Sequence, residues 1–208
     1  MALFTLQGVK YKDIIQYPDI EISEGSATFI CGESGSGKST LLQLFNGVIS
    51  ATDGKITYLG KDIESYEPIA LRRDVLIVSQ SVYLFDKSIR DNFNEYYDYR
   101  ELNALDEETI KNYLDICSAH FDIDTMCSVL SGGERQRVFI AINLSYQSKV
   151  LMLDEPTSAL DDKNANELME KIKSYCKTKD ITLIVVSHDM AIAGKYADNT
   201  IILAGGVK

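Results

Sequence analysis

Long apolar runs are missing from this chain, and with them any predicted membrane span. Runs such as Val75-Leu76-Ile77-Val78 and Leu183-Ile184-Val185-Val186 fall far short of the ~18 residues that a membrane-crossing helix needs. No signal peptide is expected at the start, because Met1 to Leu6 already reads as an alternating strand. Basic charge is also in short supply. Lysine and arginine number 21 against 31 aspartates and glutamates, a net charge of −10. No lysine- and arginine-rich run with interleaved aromatics appears, so a nucleic-acid face is not expected. Cys31, Cys117, Cys127 and Cys176 form neither a CxxC pair nor a Cys/His ligand spacing, so neither a zinc site nor a disulfide framework is indicated and reduced thiols are expected. Cys31 ends an apolar strand run and Cys176 sits on a helical apolar face, where cysteine behaves as a small hydrophobe. Internal repeats and low-complexity tracts are absent.

What is present is an ordinary globular composition. A chain of 208 residues, 45% apolar, is long enough for one compact domain with a real core and a small subdomain. Short β-rich runs recur at Thr28–Cys31, Val75–Val78, Val150–Leu153, Thr182–Val186 and Thr200–Leu203, several followed by helical patterns. That rhythm predicts an α/β fold with a helix-covered parallel sheet. Leu3–Leu6, Ile20–Ile22 and Ile56–Tyr58 are short or alternating, with Asp53-Gly54 read as a turn, and predict an N-terminal antiparallel β layer. Leu41, Leu42, Leu44 and Phe45 form a helical pattern stopped by Gly47. Asp106 with Ile110, Tyr113, Leu114 and Cys117 marks a second helix. Ala165, Leu168, Met169, Ile172 and Cys176, from about Lys163, mark a third. Residues 88–126 are polar, tyrosine-rich and free of strand runs, so they are read as an inserted α-helical subdomain within one domain spanning 1–208. Residues 1–87 and 127–208 then form its core.

Ser131-Gly132-Gly133-Glu134, followed by Arg135-Gln136-Arg137, has the form of a capped helix start. Serine with glutamate three residues on can be a capping box and nothing more. The glycines argue for an additional role, since each costs ~1 kcal/mol against alanine in a helix. An anion that must approach bare backbone N–H groups accounts for them.

Gly32-Glu33-Ser34-Gly35-Ser36-Gly37-Lys38-Ser39-Thr40 matches G-x-x-x-x-G-K-[ST] after a strand and before a helix. Such a loop points its N–H groups at phosphate oxygens, Lys38 adds a charge for the β and γ phosphates, and the Ser39 hydroxyl is suited to ligate Mg²⁺. Val150-Leu151-Met152-Leu153-Asp154-Glu155 is a buried strand ending in two carboxylates, at the sheet edge where α/β proteins bind ligands. Asp154 is suited to Mg²⁺, directly or through water, and Glu155 to deprotonating an attacking water. His188, after Ile184-Val185-Val186-Ser187, ends another strand on that edge and is expected to contact the γ-phosphate. His120 has no such setting and is assigned to the surface.

In order, Gly32–Thr40, Gln80, Leu130–Arg137, Val150–Glu155, Ser158-Ala159-Leu160-Asp161 and His188 resemble the nucleotide-binding domain of ATP-binding cassette (ABC) ATPases, across essentially the whole chain. The resemblance implies a P-loop NTPase fold, with ATP and Mg²⁺ as ligands. It makes Gln80 the Q-loop residue at the Mg²⁺ and water site, and Ser158–Asp161 the D-loop. It offers Tyr11 as the aromatic stacked on adenine, a core position being the alternative. It also implies that Ser131, Gly132 and Gly133 contact the γ-phosphate held by another subunit's P-loop in a head-to-tail pair. Separate transmembrane permease subunits would be driven through the groove near Gln80, Tyr83 and Phe85, with the chain peripheral on the cytoplasmic face of the membrane. Where family members often read Ala-Arg-Ala-Leu, this chain has Ala141-Ile142-Asn143-Leu144, so a structural arginine contact is lost. No regulatory extension is expected after 201–203. The competing readings are the ATPase head of a DNA-repair or chromosome-maintenance complex, and a non-hydrolytic regulatory cassette. The first would need a long coiled coil between Lys38 and Ser131, where no sustained heptads appear, and a basic face. The second would be expected to lack Glu155.

Overall fold

A computed structural model describes residues 1–12 and 14–204. The end of the expected single domain, 205–208, and with it the expectation about an extension, lies outside the described residues. In chain order, β1 (Ala2–Tyr11), β2 (Ile15–Gln16) and β3 (Ile20–Ser23) precede β4 (Ala27–Gly32) and α1 (Lys38–Phe45). Then come β5 (Asp53–Tyr58), β6 (Lys61–Asp62), α2 (Pro68–Asp74) and β7 (Val75–Val78). Three helices follow, α3 (Ile89–Asp98), α4 (Glu107–Ile116) and α5 (Gly132–Leu144). The chain continues through β8 (Val150–Asp154), α6 (Asp162–Thr178), β9 (Thr182–Ser187), α7 (Met190–Tyr196) and β10 (Asn199–Leu203).

The expected α/β architecture is present. A parallel sheet runs β10-β4-β9-β8-β7, and a second, antiparallel sheet runs β2-β1-β5-β6 with β3 also paired to β1. The strands β4, β9, β8 and β7 are largely apolar on both faces because both faces are covered, whereas the edge strand β10 is mostly exposed. Phe29, Cys31, Leu151, Leu153, Leu183 and Val185 pack into one core with α3 to α7, while Ile30, Val150, Met152, Ile184 and Val186 pack into another with α1 and the antiparallel layer. Successive residues thus feed opposite cores, as the two-residue repeat of a strand requires.

Helix boundaries follow the local chemistry. Asp106 and Asp161 cap α4 and α6, accepting from Thr109 N–H at 2.7 Å and Asn164 N–H at 2.8 Å. Helix α1 ends at Gly47 in the left-handed region, with φ of 64°. Val48 N–H donates to Gln43 O at 3.0 Å and Gly47 N–H to Leu44 O at 3.3 Å, a Schellman ending. All five apolar residues predicted for the inner face of α6 are buried.

Asp53-Gly54 is not a turn. It opens β5, where the β1–β5 register shifts between Gln7 and Lys10. Gly54 is needed there because, at φ of 85°, a Cβ would lie 2.4 Å from Gly8 O. The tight turn is Leu59-Gly60, with φ of 50° and 74°, joining β5 to β6 as the twist of paired strands favours. Residues 88–126 carry α3 and α4 and no named strand, and an isolated bridge pairs Ser88 with Met126 at the ends of the insertion. Ile89, Phe93, Ile110 and Leu114 are buried in the same core as Leu151 and Leu153.

Candidate functional site

The crossing from β4 to α1 builds the phosphate loop. Gly35 and Gly37 adopt φ of 80° and 90°, backbone that side-chain-bearing residues rarely take. At Gly37 a Cβ would also sit 2.9 Å from both Ile15 Cδ1 and Tyr17 Oη, so glycine is required twice over. Tyr17 is buried and donates its hydroxyl to Gly37 O at 2.9 Å. Burial raises its phenol pKa strongly, which keeps it a neutral donor. Lys38 Nζ donates to Gly32 O and Glu33 O, each at 2.9 Å, which folds the loop around the ammonium.

A cleft of about 420 Å³ opens over this loop. Ser34, Gly35, Gly37, Lys38, Ser39 and Thr40 form its floor, and Gln80, Glu155, His188 and Ile15 its walls. The parallel sheet places them together: Gln80 follows the end of β7, Glu155 follows β8 and His188 follows β9, all at carboxyl ends. Glu155 Oε2 lies 2.8 Å from His188 Nδ1, with the histidine side chain 68% exposed and the glutamate 13%. The Glu155 backbone is left-handed, with φ of 52°, a conformation that costs a non-glycine residue energy and persists where surroundings hold it. Asp154, one residue earlier, has a buried Oδ1 without a hydrogen-bond partner. Ser36 Oγ, in the loop, is buried and unpartnered as well. Among the described residues no cluster of three or more His, Cys, Asp or Glu side chains is grouped to hold a metal ion.

Other predicted site residues stand apart. Tyr11 is half-buried beside the antiparallel-layer core and does not line the cleft; its ladder partner Ile15 does. Ser131, Gly132, Gly133 and Asp161 are not among the cleft-lining residues either. Ser131, Gly132 and Asp161 are exposed. Glu134 accepts from Ser131 N–H at 2.7 Å, so capping is real. Hydrogen bonds from the Ser131 hydroxyl and N–H hold the Glu134 carboxyl below its ordinary range. Asp161 is lowered by the backbone N–H of Asn164. Gly132 faces open space, whereas a Cβ on Gly133 would lie 2.9 Å from Ala159 O and 3.0 Å from Leu160 Cδ2. The Ser131–Glu134 turn and the Ser158–Asp161 segment therefore touch.

A glycine-rich loop folded around the Lys38 ammonium, with Gln80, Glu155 and His188 lining the same cleft, narrows the choice of family. The model of the family described as ABC transporter matches residues 15–158. The chain belongs to the ABC transporter family. ABC cassettes are ATPases, and this chain is an ATP-binding subunit of that class. It is 35% identical over 222 aligned positions to the energy-coupling factor transporter ATP-binding protein EcfA2 of Ligilactobacillus salivarius, covering 97% of this chain and 71% of the relative. Its fold superposes on cbiO1 of Clostridium perfringens, part of the cbiONQ complex, with a TM-score of 0.84 at 30% identity, covering 97% and 84% of the two chains. It also superposes on the bacterial ABC cassette MJ0796, a dimeric structure, with a TM-score of 0.82 at 25% identity over 97% and 94%.

Sequence patterns alone miss several residues of this ABC site. Ile15 and Tyr17 belong to no motif, and their role rests on contacts with Gly37, 20 or more positions away in the chain. Gln136, between Arg135 and Arg137 in α5, is 5% exposed and donates to Glu155 O at 3.1 Å. Arg135 Nη1 donates to Cys127 O at 2.6 Å and Nη2 reaches Leu84 O at 3.4 Å, joining the segment after Gln80 to the turn before Ser131.

Proposed function

We propose that this cassette hydrolyses ATP in a head-to-tail pair with a second ABC subunit and so drives separate transmembrane permease subunits. The observation that carries the reading is the split of the machinery over two surfaces. Lys38, Gln80, Glu155 and His188 share one cleft, while the exposed Ser131 side chain and the first-turn N–H of Gly132 lie outside it, beside the D-loop. A helix start that binds anions but faces none of its own chain's phosphates suits a partner's phosphate. Family members of known structure supply the precedent for pairing.

In this mechanism the N–H groups of residues 34–40 and the Lys38 ammonium hold the β and γ phosphates. Glu155 accepts a proton from water as the water oxygen bonds to the γ-phosphorus and the bond to the β–γ bridging oxygen breaks, giving ADP and phosphate. His188, beside the Glu155 carboxylate at 2.8 Å, donates to the γ-phosphate oxygens and steadies the base. Ser39, Gln80 and Asp154 would hold Mg²⁺, which neutralises phosphate charge; the buried, unpartnered Asp154 Oδ1 fits a cation. Tyr11 is assigned to stack on adenine, beside Ile15.

No helix among the described residues is long and apolar enough to cross a membrane. The cassette is placed on the cytoplasmic face, docking a permease through the aromatic groove after Gln80. Tyr83 is 63% exposed there, edge-on to Phe85 at 5.2 Å, and Phe85 stacks on Tyr99 at 6.2 Å. Residues 88–126 would act as the moving helical subdomain. Glu155→Gln tests the pairing: it should retain ATP and accumulate a closed dimer in sedimentation velocity runs. Monomers persisting at saturating ATP would refute the composite site.

A further inference from the structure

Glu155 cannot hold its own geometry. Strand β8 ends at Asp154, and beyond it the chain turns left-handed at Glu155 with φ of 52°. Three neighbours hold that turn. Glu155 N–H donates to Val186 O at 3.0 Å. Its carbonyl accepts from Ser158 Oγ at 3.0 Å and from the Gln136 amide at 3.1 Å. The Val186 bond continues the sheet, and the Ser158 bond lies within the exposed D-loop itself. Gln136 alone reaches the turn with a buried side chain from a separate element, α5.

A buried polar side chain needs a partner, and among the described residues Gln136, 5% exposed between Arg135 and Arg137, donates only to the Glu155 carbonyl. The direction of that carbonyl sets the Glu155 backbone angles and hence where its carboxylate points. We infer that Gln136 is a positioning residue for the base: it fixes the Glu155 turn and ties it to α5, the helix whose first turn is Ser131–Glu134. The inference rests on the proposed role of Glu155. It adds a link that the motifs do not contain. The base of the chain's own cleft is coupled, through the Gln136 amide, to the helix that begins at the turn proposed to read the partner's phosphate.

Two substitutions test this in the full-length protein with steady-state ATP hydrolysis and equilibrium ATP binding. Gln136→Met keeps the volume and removes the donor; Gln136→Glu is isosteric and serves if the first variant fails to fold. Misplacing a catalytic group by about an ångström costs up to ~100-fold, so kcat should fall ~10- to 100-fold. KM and ATP affinity should stay within about twofold, because the phosphate loop is untouched. In a Glu155→Gln background, Gln136→Met should cause no further loss, since residues acting through one group are not additive. Wild-type kcat in a folded variant overturns the inference, as does a matching fall in affinity or a further loss in the double variant. If Glu155→Gln itself hydrolyses ATP at the wild-type rate, the base assignment fails and the inference falls with it. A dead Glu155→Gln beside a fully active Gln136→Met sinks the inference alone.

Discussion

Asn92→Ala should destabilise this cassette more than any single surface change, although no motif contains Asn92. The residue is fully buried at the start of α3. Its Oδ1 accepts from Phe85 N–H at 2.8 Å, and its Nδ2 donates to Ser88 O at 2.9 Å and lies 3.2 Å from Phe85 O. The same nitrogen is 3.4 Å from Cys127 Sγ. Alanine leaves the two carbonyls partnered, because Lys87 N–H still donates to Phe85 O and the residue-92 N–H to Ser88 O. It leaves the Phe85 N–H with nothing. An orphaned buried donor costs ~1–3 kcal/mol, and the lost donor bonds add ~1 kcal/mol. Better helix propensity returns only ~0.5 kcal/mol. The net loss is therefore ~1.5–3.5 kcal/mol, or a fall in Tm of ~3–14 °C for a chain of this size. Urea unfolding followed by circular dichroism measures it, tryptophan fluorescence being ruled out by a chain with no tryptophan. Asn92→Asp keeps the acceptor for Phe85 but turns a carboxylate toward two carbonyls, and should be at least as costly. A loss below ~1 kcal/mol for Asn92→Ala, within the range of ordinary surface substitutions, would show that the Asn92 contacts do not hold the loop.

Lys38→Ala should abolish tight ATP binding in calorimetric titrations, because it removes the cleft's ammonium and frees the carbonyls of Gly32 and Glu33; unchanged affinity would count against the phosphate-loop assignment. Ser131→Arg should leave ATP binding by the monomer intact while blocking hydrolysis by the pair, since Ser131 lies outside the cleft. A fully active variant would show that this turn does not face a phosphate.

Those two residues were legible in the sequence because the chemistry of each is written in contiguous positions. The strand runs around Thr28–Cys31 and Val150–Leu153 were legible for the same reason, since both faces are buried and every residue but Thr28 is apolar. Residues that act through distant partners left no such trace. Tyr17 reads as one more tyrosine until its hydroxyl is found on Gly37, and Gln136, although it lies in the Leu130–Arg137 motif, has no assigned partner until its amide is found on Glu155. Asp53-Gly54 misled for a related reason. Its composition is that of a hairpin turn, but the close approach of Gly8 recruits the glycine for a register shift, and the turn falls to Leu59-Gly60. Local propensity was overruled by a neighbouring strand.

The glycines of Ser131–Glu134 show how far a motif argument can be separated into causes. Gly133 needs no ligand to explain it, since any Cβ would collide with Ala159 O and Leu160. Gly132 meets nothing within 4 Å, so packing gives no reason for a residue that costs the helix ~1 kcal/mol. The case for an incoming anion therefore rests on Gly132 and the exposed Ser131, and Gly133 instead ties this turn to the D-loop. A single methyl group separates the two causes. Gly132→Ala is sterically free and should stabilise the isolated chain while weakening ATP-driven pairing, whereas Gly133→Ala must displace Ser158–Asp161 before any partner arrives. Ser158 holds the Glu155 carbonyl. Strain at Gly133 thus passes into the chain's own cleft, and strain at Gly132 does not.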